Sequence, residues 1–182
     1  CLKVSSNTSG FQPNTPAVFS YSIVDDQGKT LKDLDTVHEK IMHFIVVRKD
    51  LANFQHVHPE FNPTTGEFTL ADLTFPSDGE YRLFADFTPA AGMMGPDGMK
   101  LPVTLSQDVQ VGNLANYKPQ GLGAVTNTEA VDGYQIKLST DAELVTGKES
   151  MLMFDITQNG KSVTDLQPYL GALGHSVILR EG

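Results

Sequence analysis

The chain has 182 residues and a formal net charge of −9, an acidic balance that argues against nucleic-acid binding, because such proteins present a basic face. It contains no run of about 18 apolar residues, so the sequence predicts no transmembrane segment. Cys1 is its one cysteine, which excludes an internal disulfide and a cysteine-built metal site and leaves His, Met, Asp and Glu as candidate ligands.

Short apolar segments separated by turns follow one another along residues 1–112. The residues from Pro16 to Val24 alternate with period two, which is typical of a half-buried strand. The β-branched run from Ile41 to Arg48 predicts a buried central strand. Further strands are predicted over residues 54–58, 67–75, 81–87 and 103–111. About seven short strands, with turn signals every 8–12 residues or so, indicate an all-β, immunoglobulin-like β-sandwich. We expect its core to contain Phe19, Ile23, Ile45, Val47, Leu83 and Phe87.

A shift of 132 positions relates two parts of the chain and aligns identical residues without a gap. The matched pairs include Gly28 with Gly160, His43 with His175 and Arg48 with Arg180. This repeat predicts a tandem, in which residues 1–112 form a complete sandwich, 113–131 a linker and 132–182 a partial second copy of the same unit. Because an incomplete sandwich leaves a strand edge unpaired, we expect a protein partner or self-association to complete the second unit.

Four of the five histidines lie between His38 and His58. His56 and His58 are two positions apart in a predicted strand, so both imidazoles leave an extended chain on the same side. His43, in the neighbouring predicted strand, supplies a third nitrogen. His38, in the loop before that strand, is a fourth ligand or supports the others. Neutral imidazole suits Cu(II) and Zn(II), so the pattern predicts a copper or zinc site.

These histidines admit two other interpretations. A histidine within an apolar strand, such as His43, is often a core residue satisfied by one hydrogen bond, and this alternative stays open. The dipeptide His38-Glu39 resembles the start of a zinc-protease motif. The next histidine, however, follows at five positions instead of four, and the segment does not read as a helix. We therefore reject the protease interpretation.

A second candidate feature is a Gly- and Pro-rich segment that holds three of the six methionines: Met93, Met94 and Met99. Thioethers are soft ligands that favour Cu(I). The alternative is a hydrophobic loop for partner contact. Asp86 is a further candidate ligand, although most such aspartates are solvated. Because the sequence shows no Ser-His-Asp order, paired-carboxylate signature or Gly-rich phosphate loop, we expect that the protein is not an enzyme.

The strings MHFIVVRKDLANFQHVHPEF (42–61), GEYRLFADFTP (79–89) and YLGALGHSVILREG (169–182) resemble a group of uncharacterised bacterial exported proteins with a His-x-His-Pro motif. That group looks akin to the YtkA-like and copper-resistance periplasmic β-sandwich proteins. The resemblance implies a periplasmic, cell-surface or secreted location. It also supports copper binding, since some of those sandwiches bind copper. An N-terminal cysteine such as Cys1 also fits a lipid anchor, but a domain boundary that falls on cysteine is the favoured interpretation.

The sequence therefore predicts an extracytoplasmic metal-binding β-sandwich protein with a role in metal handling or homeostasis. Its metal is copper or zinc, and its predicted ligands are His43, His56 and His58, with His38 nearby. The alternative is a non-catalytic immunoglobulin-like scaffold or interaction module whose histidines are structural.

Overall fold

The computed structural model describes residues 1–5 and 10–180. Within these residues the fold is all-β, apart from a 3-10 helix at Leu114–Asn116. The strands, in chain order, are β1 (Leu2–Val4), β2 (Ala17–Ile23), β3 (Leu34–Asp35), β4 (His43–Arg48), β5 (Gln55–Val57), β6 (Glu60–Asn62), β7 (Glu67–Leu73), β8 (Gly79–Pro89), β9 (Val103–Val111), β10 (Thr128–Val131), β11 (Tyr134–Thr140), β12 (Leu152–Gln158) and β13 (Lys161–Ser162). No helix in the described part of the chain is long and apolar enough to cross a bilayer.

The chain divides into two compact units. The first comprises the residues up to Leu122 together with those from Ser176 onward, and the second is Gly123–His175. The segment 113–131, predicted as a linker, is thus divided between them. The tandem repeat itself stays a prediction.

Two antiparallel sheets form the first unit. One has the order β1-β2-β7-β6, and the other has the order β3-β8-β4-β5, with β9 paired to β8. Both contribute to one hydrophobic core, whose members include Phe19, Tyr21, Phe44, Val46, Phe68, Leu83 and Ala85. The predicted all-β sandwich is confirmed. Its immunoglobulin-like type stays a prediction, which this strand order favours.

The register of β4 decides which of its residues face the core. Phe44 and Val46 lie in the core and pair with Ala85 and Leu83 of β8. Ile45 and Val47 are buried as predicted, but they alternate to the opposite face of the sheet and lie outside the cluster that contains Phe44 and Val46. A continuous apolar run carries no alternation from which the inward face can be read.

A buried ion pair fixes the chain after β9 to the first unit. The Arg48 guanidinium donates two hydrogen bonds of 2.8 Å to the Asp50 carboxylate, which also accepts one of 2.7 Å from the backbone N–H of Gln120. The Tyr117 ring lies 5.2 Å from the Arg48 guanidinium carbon. Burial acts to raise the pKa of Asp50, but hydrogen bonds from Arg48, Gln120 and Ala52 outweigh it and lower the pKa to about 2.

The second unit is built on one antiparallel sheet with the order β10-β11-β12-β13. Its apolar side chains meet across β11 and β12, where Ile136 pairs with Ile156 and Leu138 with Phe154. None of the residues from Gly123 to His175 is buried. Hydrophobic burial therefore contributes much less to this unit than to the first.

Candidate metal centre

The pairing of β4 with β5 brings three histidines together on one face of a sheet. Ile45 pairs with His56 and Phe44 with Val57, a register that continues to place His58 beside His43. Because Phe44 points into the core, His43 and its cross-strand neighbours project from the opposite face. The histidines are thus not core residues of the sandwich, although each is partly buried.

The ring nitrogens of these three histidines converge. Nδ1 of His43 lies 3.2 Å from Nε2 of His56 and 3.2 Å from Nε2 of His58. One ligand nitrogen from each residue lies within 4.8 Å of the other two. Each ring therefore directs one nitrogen toward a shared space.

The other nitrogen of His43 determines its tautomer. Nε2 of His43 lies 3.0 Å from the carbonyl oxygen of Val37. A carbonyl oxygen accepts only, so Nε2 carries the proton in a neutral imidazole and Nδ1 has the lone pair. A hydrogen bond of this kind is how proteins orient histidines that bind metals, and here it directs the free lone pair of His43 toward His56 and His58.

The Val37 carbonyl belongs to a strained two-residue turn. Val37 and Lys40 exchange backbone hydrogen bonds of 2.8 and 3.1 Å, and the intervening His38 and Glu39 have φ of 49° and 63°. Two left-handed residues in a two-residue hairpin loop are the geometry of a type I′ turn, which Asn and Gly normally occupy. Holding other residues there costs on the order of 1–3 kcal/mol each. The packing of the surrounding fold offsets this cost. Strained backbone is often found at binding sites, and this turn lies next to the histidines.

The distances fit a transition-metal ion. Two nitrogens bound to Zn(II) at about 2.0–2.1 Å, separated by a tetrahedral angle, would be about 3.3–3.4 Å apart. A right angle at a tetragonal copper ion would give about 2.9 Å. The two measured separations of 3.2 Å fall between these values. Two of the three nitrogen–nitrogen separations therefore match those around such an ion, and the three ligand atoms lie within 4.8 Å of one another.

A metal-free hydrogen-bonded arrangement is harder to satisfy. With Nε2 of His43 donating to Val37, its Nδ1 offers one lone pair to two neighbouring Nε2 atoms at equal distance. If both of these Nε2 atoms carry protons, the two N–H groups share that one lone pair, and only one of them can lie along its direction. A cation would instead accept a lone pair from each of the three rings.

The structure places His38 at the rim of this group. Its side chain is exposed, and its ring stands edge-on to that of His43, with the centroids 6.0 Å apart. It does not belong to the set of three whose nitrogens lie within 4.8 Å. This position suits a residue that borders the site.

Asp86 lies directly opposite His43 in the pairing of β8 with β4. Its carboxylate accepts a hydrogen bond of 2.8 Å from the Thr104 hydroxyl, and it is not part of the convergent set. The three candidate methionines, Met93, Met94 and Met99, are exposed and lie in a hairpin between β8 and β9.

The second unit contains the same turn at the position predicted by the 132-residue shift. Tyr169 and Ala172 exchange backbone hydrogen bonds of 2.9 and 3.2 Å around Leu170 and Gly171, which have φ of 49° and 74°. Nε2 of His175 lies 2.8 Å from the carbonyl oxygen of Tyr169. This histidine is therefore oriented in the same way as His43. Among the described residues, the group whose candidate ligand atoms converge is that of His43, His56 and His58 in the first unit.

The strained turn was missed by sequence reasoning. His38 is of a residue type enriched at positive φ, but Glu39 is not, so the first copy gives only a weak local signal for this turn. Gly171, which aligns with Glu39 at the same shift, is such a signal in the second copy. Reading the turn from the second copy and transferring it to the first would have located the carbonyl group that orients His43.

Comparison with known proteins identifies the family but not an activity. No curated protein shows significant similarity to the chain. A family model described as a domain of unknown function, DUF8832, matches residues 2–94 and 129–182, which is more than half of the chain. The first matched segment contains the convergent histidines, and the second contains His175. The chain therefore belongs to the DUF8832 family.

Proposed function

We propose that this protein is an extracytoplasmic metal-binding protein that holds one Cu(II) or Zn(II) ion through His43, His56 and His58. The observation that carries the proposal is the convergence of Nδ1 of His43 with Nε2 of His56 and Nε2 of His58. Imidazole nitrogen is the donor that both ions accept, and copper is the first choice because of the sequence resemblance described above.

The number of ligands favours metal handling over a structural role. Structural zinc sites are closed by four protein ligands, whereas three histidines leave a coordination position for water or an exchanging ligand. His38, whose ring centroid lies 6.0 Å from that of His43, is the candidate ligand for that position. An open site on a sheet face suits capture and release of an ion. The proposed periplasmic or cell-surface location rests on the resemblance, and we expect no catalysis.

The competing function is an interaction module with structural histidines. One observation favours it: separations of 3.2 Å are also those of long hydrogen bonds between rings. In that case the cluster would stabilise the β4–β5 pairing without binding an ion.

Isothermal titration of the full chain with Cu(II) and with Zn(II) separates the two functions. We expect one ion per chain for the wild type and loss of that binding in His56→Ala/His58→Ala. His175→Ala is the matched control, because it removes a histidine outside the convergent group and should retain the site. Equal binding by the double variant and the wild type, or no binding by the wild type at micromolar metal, would end the metal proposal and favour the interaction module.

A further inference from the structure

The outer face of the sheet that contains β4 and β8 carries a pocket of about 260 Å³. Val46 and Leu83 point into the core, so their neighbours Val47 and Phe84 project from the opposite face of the sheet. Both of these residues line the pocket and form an apolar floor. The register of two central strands therefore fixes the floor in place.

Two further segments add apolar walls to this floor. Leu51 lines the pocket from the turn after β4, where its backbone N–H donates to the Arg48 carbonyl at 2.8 Å. Ile178 and Leu179 line it from the segment that starts at Ser176, which belongs to the first unit. All residues that line the pocket thus come from one compact unit.

The charged residues that line the pocket are all basic. They are Arg48, Lys49, Arg82 and Arg180, and among the described residues no acidic one joins them. The Arg48 guanidinium is engaged by Asp50, and its side chain is 4% exposed. The other three cations are therefore the charged groups that an incoming ligand would meet.

Two carboxylates match part of this positive charge. Asp108 accepts hydrogen bonds of 2.7 and 3.1 Å from Nε and Nη2 of Arg82. Nζ of Lys49 lies 2.9 Å from Asp108 and 3.5 Å from Glu80. Within the described part of the chain, neither Nη1 of Arg82 nor the Arg180 guanidinium has a hydrogen-bond or ion-pair partner. One positive charge therefore stays unmatched here, in a chain whose net charge is −9.

We propose that this pocket binds a small amphipathic carboxylate, in which a carboxylate group is joined to a short apolar chain. Arg82 and Arg180 donate hydrogen bonds to the carboxylate, whose geometry matches the planar fork of a guanidinium group. The apolar chain covers Val47 and Phe84. An apolar surface with a few polar groups is typical of small-molecule sites, and a volume below the usual range of about 300–1,000 Å³ restricts the ligand to a short chain.

The pocket is separate from the candidate metal centre. Val47 and His43 project from the same face of β4, but they are four residues apart, which is about 13 Å along a strand. None of the three convergent histidines lines the pocket. The proposal therefore does not depend on metal binding.

Titration of the full chain with hexanoate, followed by NMR of its methyl groups, tests the proposal. We expect the methyl resonances of Val47, Leu51 and Leu179 to shift and to saturate at millimolar hexanoate. Hexanol lacks the charge and acetate lacks the apolar chain, so each should bind at least about tenfold more weakly. No binding of hexanoate at millimolar concentration, or equal affinity for hexanol or acetate, overturns the proposal.

Two variants locate the carboxylate. Arg180→Gln should weaken hexanoate binding about five- to tenfold, because it removes a charged hydrogen-bond donor. Lys29→Gln is its matched control, since it makes the same change in net charge at an exposed lysine outside the pocket and should leave the affinity unchanged. Ile178→Glu should abolish binding, because it places a negative charge on the wall of the pocket.

Val177→Glu is the matched control for Ile178→Glu. It adds the same charge at the adjacent residue, which does not line the pocket, and it should retain binding. Val177 and Ile178 are both exposed, so neither change removes core packing. Affinity that is unchanged in Arg180→Gln and Ile178→Glu, or that falls equally in the two controls, overturns the assignment of this pocket.

Discussion

Nε2 of His43 lies 3.0 Å from the carbonyl oxygen of Val37, six residues earlier in the chain. This contact assigns the proton of the neutral ring to Nε2. Nδ1 therefore has the lone pair, and it faces His56 and His58. The orientation of Nδ1, the candidate metal ligand of His43, thus depends on a backbone turn and not on another side chain. His175 makes the equivalent contact at 2.8 Å with Tyr169, so the same local structure is built twice.

The first prediction concerns the tautomer of His43. In the metal-free protein above neutral pH, we expect His43 and His175 both to be protonated at Nε2, because a backbone carbonyl faces that atom in each. Long-range nitrogen–proton NMR correlations of the two rings report the tautomer directly. Protonation of His43 at Nδ1 would contradict the assignment of that atom as a ligand, whether or not the protein binds metal.

The second prediction concerns the strained turn at His38 and Glu39. Replacing them by Asn and Gly should stabilise the protein by about 1–2 kcal/mol, because both new residues tolerate φ above zero. Nε2 of His43 should keep its hydrogen bond to the Val37 carbonyl, since the turn keeps its geometry. Urea unfolding measures the change in the free energy of unfolding. A destabilised double variant would show that the wild-type turn does not have this geometry.

The third prediction concerns the pH dependence that arises from Asp50. Its pKa is lowered to about 2 in the folded chain, against an ordinary value of 3.8. A depressed pKa stabilises the fold above the unfolded value, and this contribution, about 2 kcal/mol, is lost as the pH falls through about 2. Asp50→Asn should therefore be less stable than the wild type at neutral pH, with the difference shrinking between about pH 4 and pH 2.

Urea midpoints across that pH range test the Asp50 prediction. Asp26→Asn, a change at an exposed aspartate, is the control and should leave the midpoint at neutral pH unchanged. A difference between wild type and Asp50→Asn that stays constant from neutral pH to pH 2 would mean that Asp50 does not carry the effect.

The fourth prediction concerns the unequal burial of the two units. None of the residues from Gly123 to His175 is buried, whereas β4 and β8 lie against the core of the first unit. We expect backbone amides of β11 and β12 to exchange with deuterium faster than those of β4 and β8, because local opening exposes less apolar surface. Mass spectrometry of peptides from the full chain measures this. Equal protection in both units would indicate that the sheet of the second unit is covered in solution.

The sequence by itself determined the fold class and the identity of the histidine group. Alternation in β2 and β8 indicated half-buried strands, and the spacing of His56 and His58 predicted two imidazoles on one side of an extended chain. Both inferences depend only on the period of a β-strand, which is a local property. The correspondence between His43 and His175, 132 residues apart, was likewise recognised from the sequence alone.

The tertiary structure alone decided which nitrogen of His43 is available and which face of β4 carries it. The run from Ile41 to Arg48 is apolar almost throughout, so the pairing of Phe44 with Ala85 was needed to show that His43 points away from the core. The Val37 carbonyl is oriented by a left-handed turn whose second residue, Glu39, does not signal it. Register between strands and backbone strain arise from contacts between distant segments, and a local pattern of residue types does not encode them.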